Sequence, residues 1–190
     1  MKIAQTELAG LIVIDAPAFH DDRGYFMELW NEERYAACGI REVFRQDSFS
    51  ESRKGVLRGL HAQNPWPQGK LVTCVAGAIW DVAVDLRVDS PTFGRWHAET
   101  LSAENHRQLW IPVGFAHGFA TLSDVARVCY KSTEVYRPDA ELSVVWNDPE
   151  VGVRWPVESP LLSPRDGRAS KLRDLPRERL FRMASTAKGS

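Results

Sequence analysis

The segment Val56-Leu57-Arg58-Gly59-Leu60-His61-Ala62-Gln63 carries the densest set of groups that could do chemistry. Read as a strand, its alternation puts Arg58, Leu60 and Ala62 on one face and Leu57, Gly59, His61 and Gln63 on the other. An imidazole beside glycine faces an uncrowded surface, which suits a substrate pocket. A core histidine satisfied by a backbone carbonyl would have the same sequence, and for His61 taken singly that plainer reading carries more weight. Pro112 to Phe119 sets His117 among glycines and aromatics, which reads either as a tight turn with a half-buried histidine or as a second pocket imidazole. In Val128 to Tyr136, the residues Tyr130, Ser132 and Glu134 share one strand face; a strand tyrosine is ordinarily a packing aromatic. Gln68-Gly69-Lys70 places a cation just before a strand, and Arg23 and Glu28 read singly as surface charges. Two well-placed histidines invite a metal, but the position two after His61 is Gln63, so there is no HxH pair, and no CxxC exists. No metal site is expected.

These groups must be held by short strands. Leu11 to Ile14, Tyr25 to Trp30, Val43 to Ser50 and Val56 to Gln63 have β-like texture, and Leu71 to Val75 with Ala78 to Leu86 reads as a hairpin around Ala76-Gly77. Along Ala78 to Asp85, one face would carry Ile79, Asp81, Ala83 and Asp85, a mixture more natural in a polar lumen than in a core. Phe93 to Leu101, Gln108 to Ile111, Gly118 to Leu122, Val125 to Glu134 and Leu142 to Trp146 continue the pattern. Asn31 can cap a short helix over Glu32 to Cys38, with Gly39 at the position that ends it. The expected class is all-β, a double-sheet jelly roll with short peripheral helices; βαβ alternation and GxGxxG are both missing. The organisation expected is one domain over residues 1–175 and a C-terminal tail over 176–190, with a short helix from Arg177 to Ala184 and then a frayed end.

The chain has 190 residues, 44% of them hydrophobic, so it can bury a core without a disulfide staple. The net charge of −1 disfavours a nucleic-acid coat, and no run is long enough to span a membrane. MKIAQTELAG has no apolar h-region, so no secretory signal is expected, and three scattered cysteines suit a reducing cytosol. Seven tryptophans fit either core filling or stacking on sugars and bases.

Taken in order, the segments Asp22-Arg23-Gly24-Tyr25-Phe26, Lys54 to His61, Gln68-Gly69-Lys70-Leu71-Val72, Asp81 to Arg87, Ser90-Pro91-Thr92-Phe93-Gly94, Leu109-Trp110-Ile111-Pro112, Gly114 to Phe119, Tyr130-Lys131 and Trp146-Asn147-Asp148-Pro149 resemble the dTDP-4-dehydrorhamnose 3,5-epimerase family. The resemblance runs from about Leu11 to Leu175. It implies a cupin-type jelly roll, a homodimer, and an isomerase that works in the cytoplasm without metal or other cofactor. The implied substrate is dTDP-4-dehydro-6-deoxyglucose, on the way to dTDP-L-rhamnose.

Both reacting hydrogens of such a sugar are α to its ketone, so inversion needs a base on one face, an acid on the other and a donor for the enolate oxygen. The resemblance assigns His61 as base, Asp166 as its orienting partner, Tyr130 as acid and Lys70 as the enolate cation. It places Arg58 and His117 at substrate-contacting positions, Arg23, Glu28, Gln46, Glu141 and Arg165 on the nucleoside diphosphate, and Tyr136 on the base. Arg23 and Glu28 can come from the neighbouring subunit in such enzymes. Three positions depart from the family pattern: Ser48 replaces an asparagine and would reach the nucleotide through water, Ala62 replaces an aromatic, and Arg165 replaces a lysine. The competing expectations are a 3- or 5-monoepimerase, a metal-dependent cupin, and a silent sugar-nucleotide binder.

Overall fold

In this computed structural model, residues 1–183 are described. In chain order the strands are β1 (Lys2–Gln5), β2 (Ile12–Asp15), β3 (Ala18–Asp21), β4 (Gly24–Met27), β5 (Gln46–Arg53), β6 (Leu57–Gln63), β7 (Lys70–Ala76), β8 (Ala78–Asp85), β9 (Trp96–Ser102), β10 (Arg107–Ile111), β11 (Phe115–Thr121), β12 (Val125–Ser132) and β13 (Glu141–Ser143). One helix, α1 (Glu32–Ala37), precedes β5, and Asn31 caps it by accepting from the Arg34 amide. A six-stranded sheet, ordered β1-β2-β10-β7-β12-β5, faces a five-stranded one, ordered β13-β6-β11-β8-β9. The all-β double-sheet jelly roll expected from the strand spacing is the architecture found.

Alternation along the strands builds three apolar layers. Val13, Val72, Leu109 and Val128 from one sheet meet Ile79, Ala83, Leu101 and Phe119 from the other in the space between them. Leu60, Ala62, Val82, Val84 and Ala116 point outward from the five-stranded sheet and are covered by the C-terminal segment. Ile12, Ile14, Leu71 and Trp110 point outward from the six-stranded sheet, under Tyr35 of α1 and Ile40.

Two local expectations are corrected. β7 and β8 are not a hairpin: β7 lies between β10 and β12, whereas β8 lies between β11 and β9 in the other sheet. The chain changes sheets at Gly77, whose φ of +70° a side chain would resist and where a Cβ would fall 2.1 Å from the Val125 carbonyl oxygen. Both strands present an apolar face to one interior, and that burial outweighs the pairing of sequence neighbours. In place of a helix from Arg177 to Ala184 there is a 3-10 turn over Arg177–Arg179, after which Leu180 and Phe181 bury themselves in the outer layer. The frayed end expected for the last residues lies outside the described ones. Among the described residues, no helix is long and apolar enough to cross a membrane.

Candidate active site

A cleft of roughly 590 Å³ opens at one end of the space between the sheets. Its walls include His61, Lys70, Tyr130, Asp166, Arg58, His117, Gln46, Ser48, Tyr136, Glu141 and Arg165. Eleven of the thirteen residues singled out in the sequence therefore share one cavity. Arg23 and Glu28 do not line it. Arg23 sits at the tip of the β3–β4 hairpin, paired with Asp21, and Glu28 accepts from Arg34.

The floor is set by β6 and β11. Strict alternation separates Arg58 from His61, but the register skips a residue: His117 faces His61 while Phe119 faces Arg58. This one-residue bulge turns Arg58 and His61 to the same side and leaves Leu60 in the outer layer. Gly59 permits it, because its φ is +121° and a Cβ there would lie 2.4 Å from the Gly118 Cα. The face assignment read from the sequence for Arg58 is corrected accordingly.

His61 Nε2 lies 2.6 Å from Asp166 Oδ1, and that carboxylate is nearly inaccessible while the imidazole keeps an opening to the cleft. Burial works to raise the Asp166 pKa, but the hydrogen bond and charge of His61, the Ser163 hydroxyl and Arg165 bring it below the usual carboxylate value. An ionised Asp166 accepts from Nε2–H, which leaves the Nδ1 lone pair as the basic site. Asp166 stands 105 residues from His61 in sequence, and a loop carries it back to β6. Gln63, the position that breaks an HxH pair, instead donates to the Val135 carbonyl and accepts from the Arg137 amide, holding the loop that carries Tyr136.

Across the cleft, β12 presents Tyr130. Its ring packs on the interior layer beside Phe119 and His117, and its Oη lies 2.7 Å from Ser50 Oγ of β5. Burial drives its pKa well above the usual phenol value. Lys70, at the start of β7, forms no salt bridge among the described residues, and burial lowers its pKa to about 8 against the pull of Glu141 and Asp81. It is a cation left free to meet an anion in the cleft. Behind it, His117 Nε2 bonds Asp81 Oδ1 at 2.7 Å, both groups being buried. Burial pushes the Asp81 carboxyl up, against the attraction of His117 and Lys70. Asp81 and Ser50 escaped the residue-by-residue reading, although the mixed face of β8 already flagged Asp81.

At the mouth, Arg165 Nη1 donates to Tyr136 Oη at 3.0 Å and Glu141 Oε2 at 2.9 Å, and Tyr136 itself donates to Glu141 Oε2. Gln46 accepts from the Tyr136 amide and donates to Ser48 Oγ. Arg58 donates to Ser52 Oγ at 3.0 Å. Arginine and amide groups gathered around an aromatic ring suit a diphosphate joined to a base. Among the described residues no tryptophan lines the cleft; Trp96 and Trp155 instead pack on Trp80 outside the five-stranded sheet. Among the described residues, no group of three or more His, Cys, Asp or Glu side chains is arranged to hold a metal ion.

A histidine–carboxylate pair, a half-buried phenol and an unspent lysine in the mouth of a jelly roll suit acid–base chemistry on a small polar substrate. The comparisons narrow that class. The profile of the dTDP-4-dehydrorhamnose 3,5-epimerase family matches residues 5–174. The Shigella flexneri dTDP-4-dehydrorhamnose 3,5-epimerase is 48% identical over 176 residues, covering 92% of this chain and 97% of that one. A Legionella pneumophila dTDP-6-deoxy-D-glucose-3,5-epimerase, solved with dTDP-4-keto-L-rhamnose, superposes with a TM-score of 0.94 at 46% identity, covering 97% of this chain and 99% of that one. A dTDP-4-dehydrorhamnose 3-epimerase from Streptomyces niveus is 40% identical, covering 87% and 81% respectively. The chain belongs to the dTDP-4-dehydrorhamnose 3,5-epimerase family and is an isomerase.

Proposed function

We propose that this protein inverts C3 and C5 of dTDP-4-dehydro-6-deoxy-D-glucose, giving dTDP-4-dehydro-L-rhamnose in dTDP-L-rhamnose biosynthesis. The observation that carries the reading is the His61–Asp166 pair at 2.6 Å in the same cleft as Tyr130 and Lys70. His61 takes the proton α to the ketone, and Asp166 holds the ring and steadies the imidazolium. Lys70, buried at the start of β7, meets the developing enolate oxygen, and its charge counts for more there than it would in bulk water. Tyr130 returns a proton from the opposite face, completing the inversion. Arg58 and His117 hold the sugar. Gln46, Ser48, Glu141 and Arg165 hold the nucleoside diphosphate, and Tyr136 stacks on the base. His61 and Tyr130 act by proton transfer alone, so the chemistry asks for no cofactor.

The active form is a homodimer in which Arg23 and Glu28 reach the partner's cleft, and the working compartment is the cytoplasm. Support comes from the exposed Phe19 and Phe26 on the hairpin that carries Arg23, and from three cysteines that are all free. The fold is one jelly-roll unit over 1–175, against which Leu180 and Phe181 of the tail pack.

Proton NMR in heavy water tests the chemistry, because it reads exchange at C3 and C5 separately. Wild type is expected to exchange and invert both carbons. Exchange at one carbon only would move the assignment to a monoepimerase, and none at either would refute it. Tyr130→Phe keeps the ring but deletes the proton, so deuterium should enter while inversion falls about 10²–10⁴-fold. Wild-type inversion in that variant would end the role of Tyr130.

A further inference from the structure

Two inversions in one turnover demand something that one inversion does not: the acid is used twice. Tyr130 holds a single proton, and giving it up leaves a phenolate in a buried position that disfavours the anion. Its oxygen lies 2.7 Å from Ser50 Oγ, and among the described residues no other hydrogen bond reaches it. For Tyr130 to aim its own hydrogen at a carbon, it must accept in this bond, so Ser50 is the donor. Ser50 is half-buried and lines the same cleft. The next hydroxyl along β5 toward the interior, Ser52, is already engaged by Arg58, whereas on the other side Ser48 and Gln46 extend the polar row toward the mouth.

We propose that Ser50 is the positioning residue that re-arms Tyr130 between the two inversions. This rests on the epimerase reading above. Before donation, the Ser50 hydroxyl points the Tyr130 hydrogen at the substrate. During donation, the Tyr130 O–H bond breaks as the enolate electron pair forms the new C–H bond. Ser50 then gives its proton to the phenolate oxygen and takes one from cleft water. His61 returns the proton it removed to water, so the enzyme ends each inversion as it began.

Ser50→Ala and Ser50→Thr, assayed in heavy water by proton NMR, test this role. In Ser50→Ala, deuterium should still enter the first carbon at close to the wild-type rate, because His61 and Asp166 are untouched. Double inversion should fall about 10- to 100-fold, the worth of one hydrogen bond to a charged oxygen, and singly inverted sugar should accumulate. Ser50→Thr keeps the hydroxyl and should restore the ratio of inversion to exchange. Exchange and inversion falling by the same factor would mark Ser50 as merely structural and overturn the role, as would unchanged double inversion in Ser50→Ala. A wild type that exchanges neither carbon would overturn the epimerase reading, and this role with it, without any substitution being needed to see it.

Discussion

At the scale of single residues, the proposed mechanism separates groups that carry protons from groups that steer them. His61→Asn keeps much of the ring's shape and hydrogen bonding but removes the base, so exchange at both carbons should vanish while nucleotide binding persists. Asp166→Asn should be damaging but less complete, because it misorients His61 without deleting it; isotope exchange and nucleotide titration read the two effects apart. Lys70 makes a sharper case, because its two properties oppose each other. Its charge is held up to about pH 8 and lost above it, so the rate should decline as pH rises through that value. In the unfolded chain the same ammonium keeps its proton to about 10.5. Between those values the unfolded state binds more protons, so this residue makes the fold more stable as pH rises. Lys70→Met fills similar space without the charge. It should abolish turnover yet raise Tm near neutral pH, by roughly 2–4 °C for each kcal/mol of desolvation removed. The Tm gap to wild type should narrow as pH approaches 10.5, and thermal melts across that range check it. A gap independent of pH would show that burial in the cleft does not lower the pKa of this lysine.

At the scale of elements, the site depends on strand ends that are pinned from outside it. β8 ends at Asp85, whose buried carboxylate accepts from the Arg87 amide, Nε and Nη2 and from the Ser90 and Thr92 hydroxyls. Arg87 in turn donates to the Ala9 carbonyl and lies over the Phe115 ring of β11, so one ion pair ties three segments together. Burial alone would raise the Asp85 pKa, but these donors hold it below the usual carboxylate value, so the pair's contribution is present above the ordinary carboxylate pKa and fades only as pH falls through the lowered one. Asp85→Ala strands a buried guanidinium, at a cost of about 3–5 kcal/mol. Tm should drop on the order of 10 °C, while exchange per folded molecule at 25 °C stays near wild type, since neither residue lines the cleft. Calorimetry together with the exchange assay decides it. The strands themselves were legible, because an alternating half-buried face leaves a period of two in the sequence. Their partners were not: β7 and β8 are separated by one glycine yet join different sheets, and only contacts from distant segments determine that. Likewise, alternation could place His61 but not Arg58 beside it, since the β6 bulge is fixed by the close approach of Gly118 on another strand. Residue types alone showed a lone histidine; its partner Asp166 became visible through the family resemblance, and the structure brings the two into contact. Asp81 was half legible, as an acid on an otherwise apolar face.

At the scale of the whole molecule, the β3–β4 hairpin pairs with neither large sheet. It exposes Phe19 and Phe26, 63% and 70% accessible, opposite each other on its two strands. Leaving two such rings in water forfeits several kcal/mol of burial free energy, which docking against a second copy would recover. The same hairpin carries Arg23, whose only partner among the described residues is Asp21, two positions away. If Arg23 serves the diphosphate, it serves a cleft other than its own. Mixed dimers test this directly. Arg23→Ala alone should weaken substrate binding in every site, and His61→Asn alone should abolish exchange in every site. In a heterodimer of the two variants, one cleft combines His61 of the first chain with Arg23 of the second and is intact, while the other carries both defects. Activity should therefore recover to about half of wild type per dimer at low substrate. If Arg23 acted in its own chain's cleft, each site of the mixed dimer would keep one defect, and no recovery would appear. Tagged chains co-expressed and purified through both tags, then assayed by exchange at limiting substrate, distinguish the arrangements; light scattering that reports a monomer at working concentration would dismiss the shared site outright.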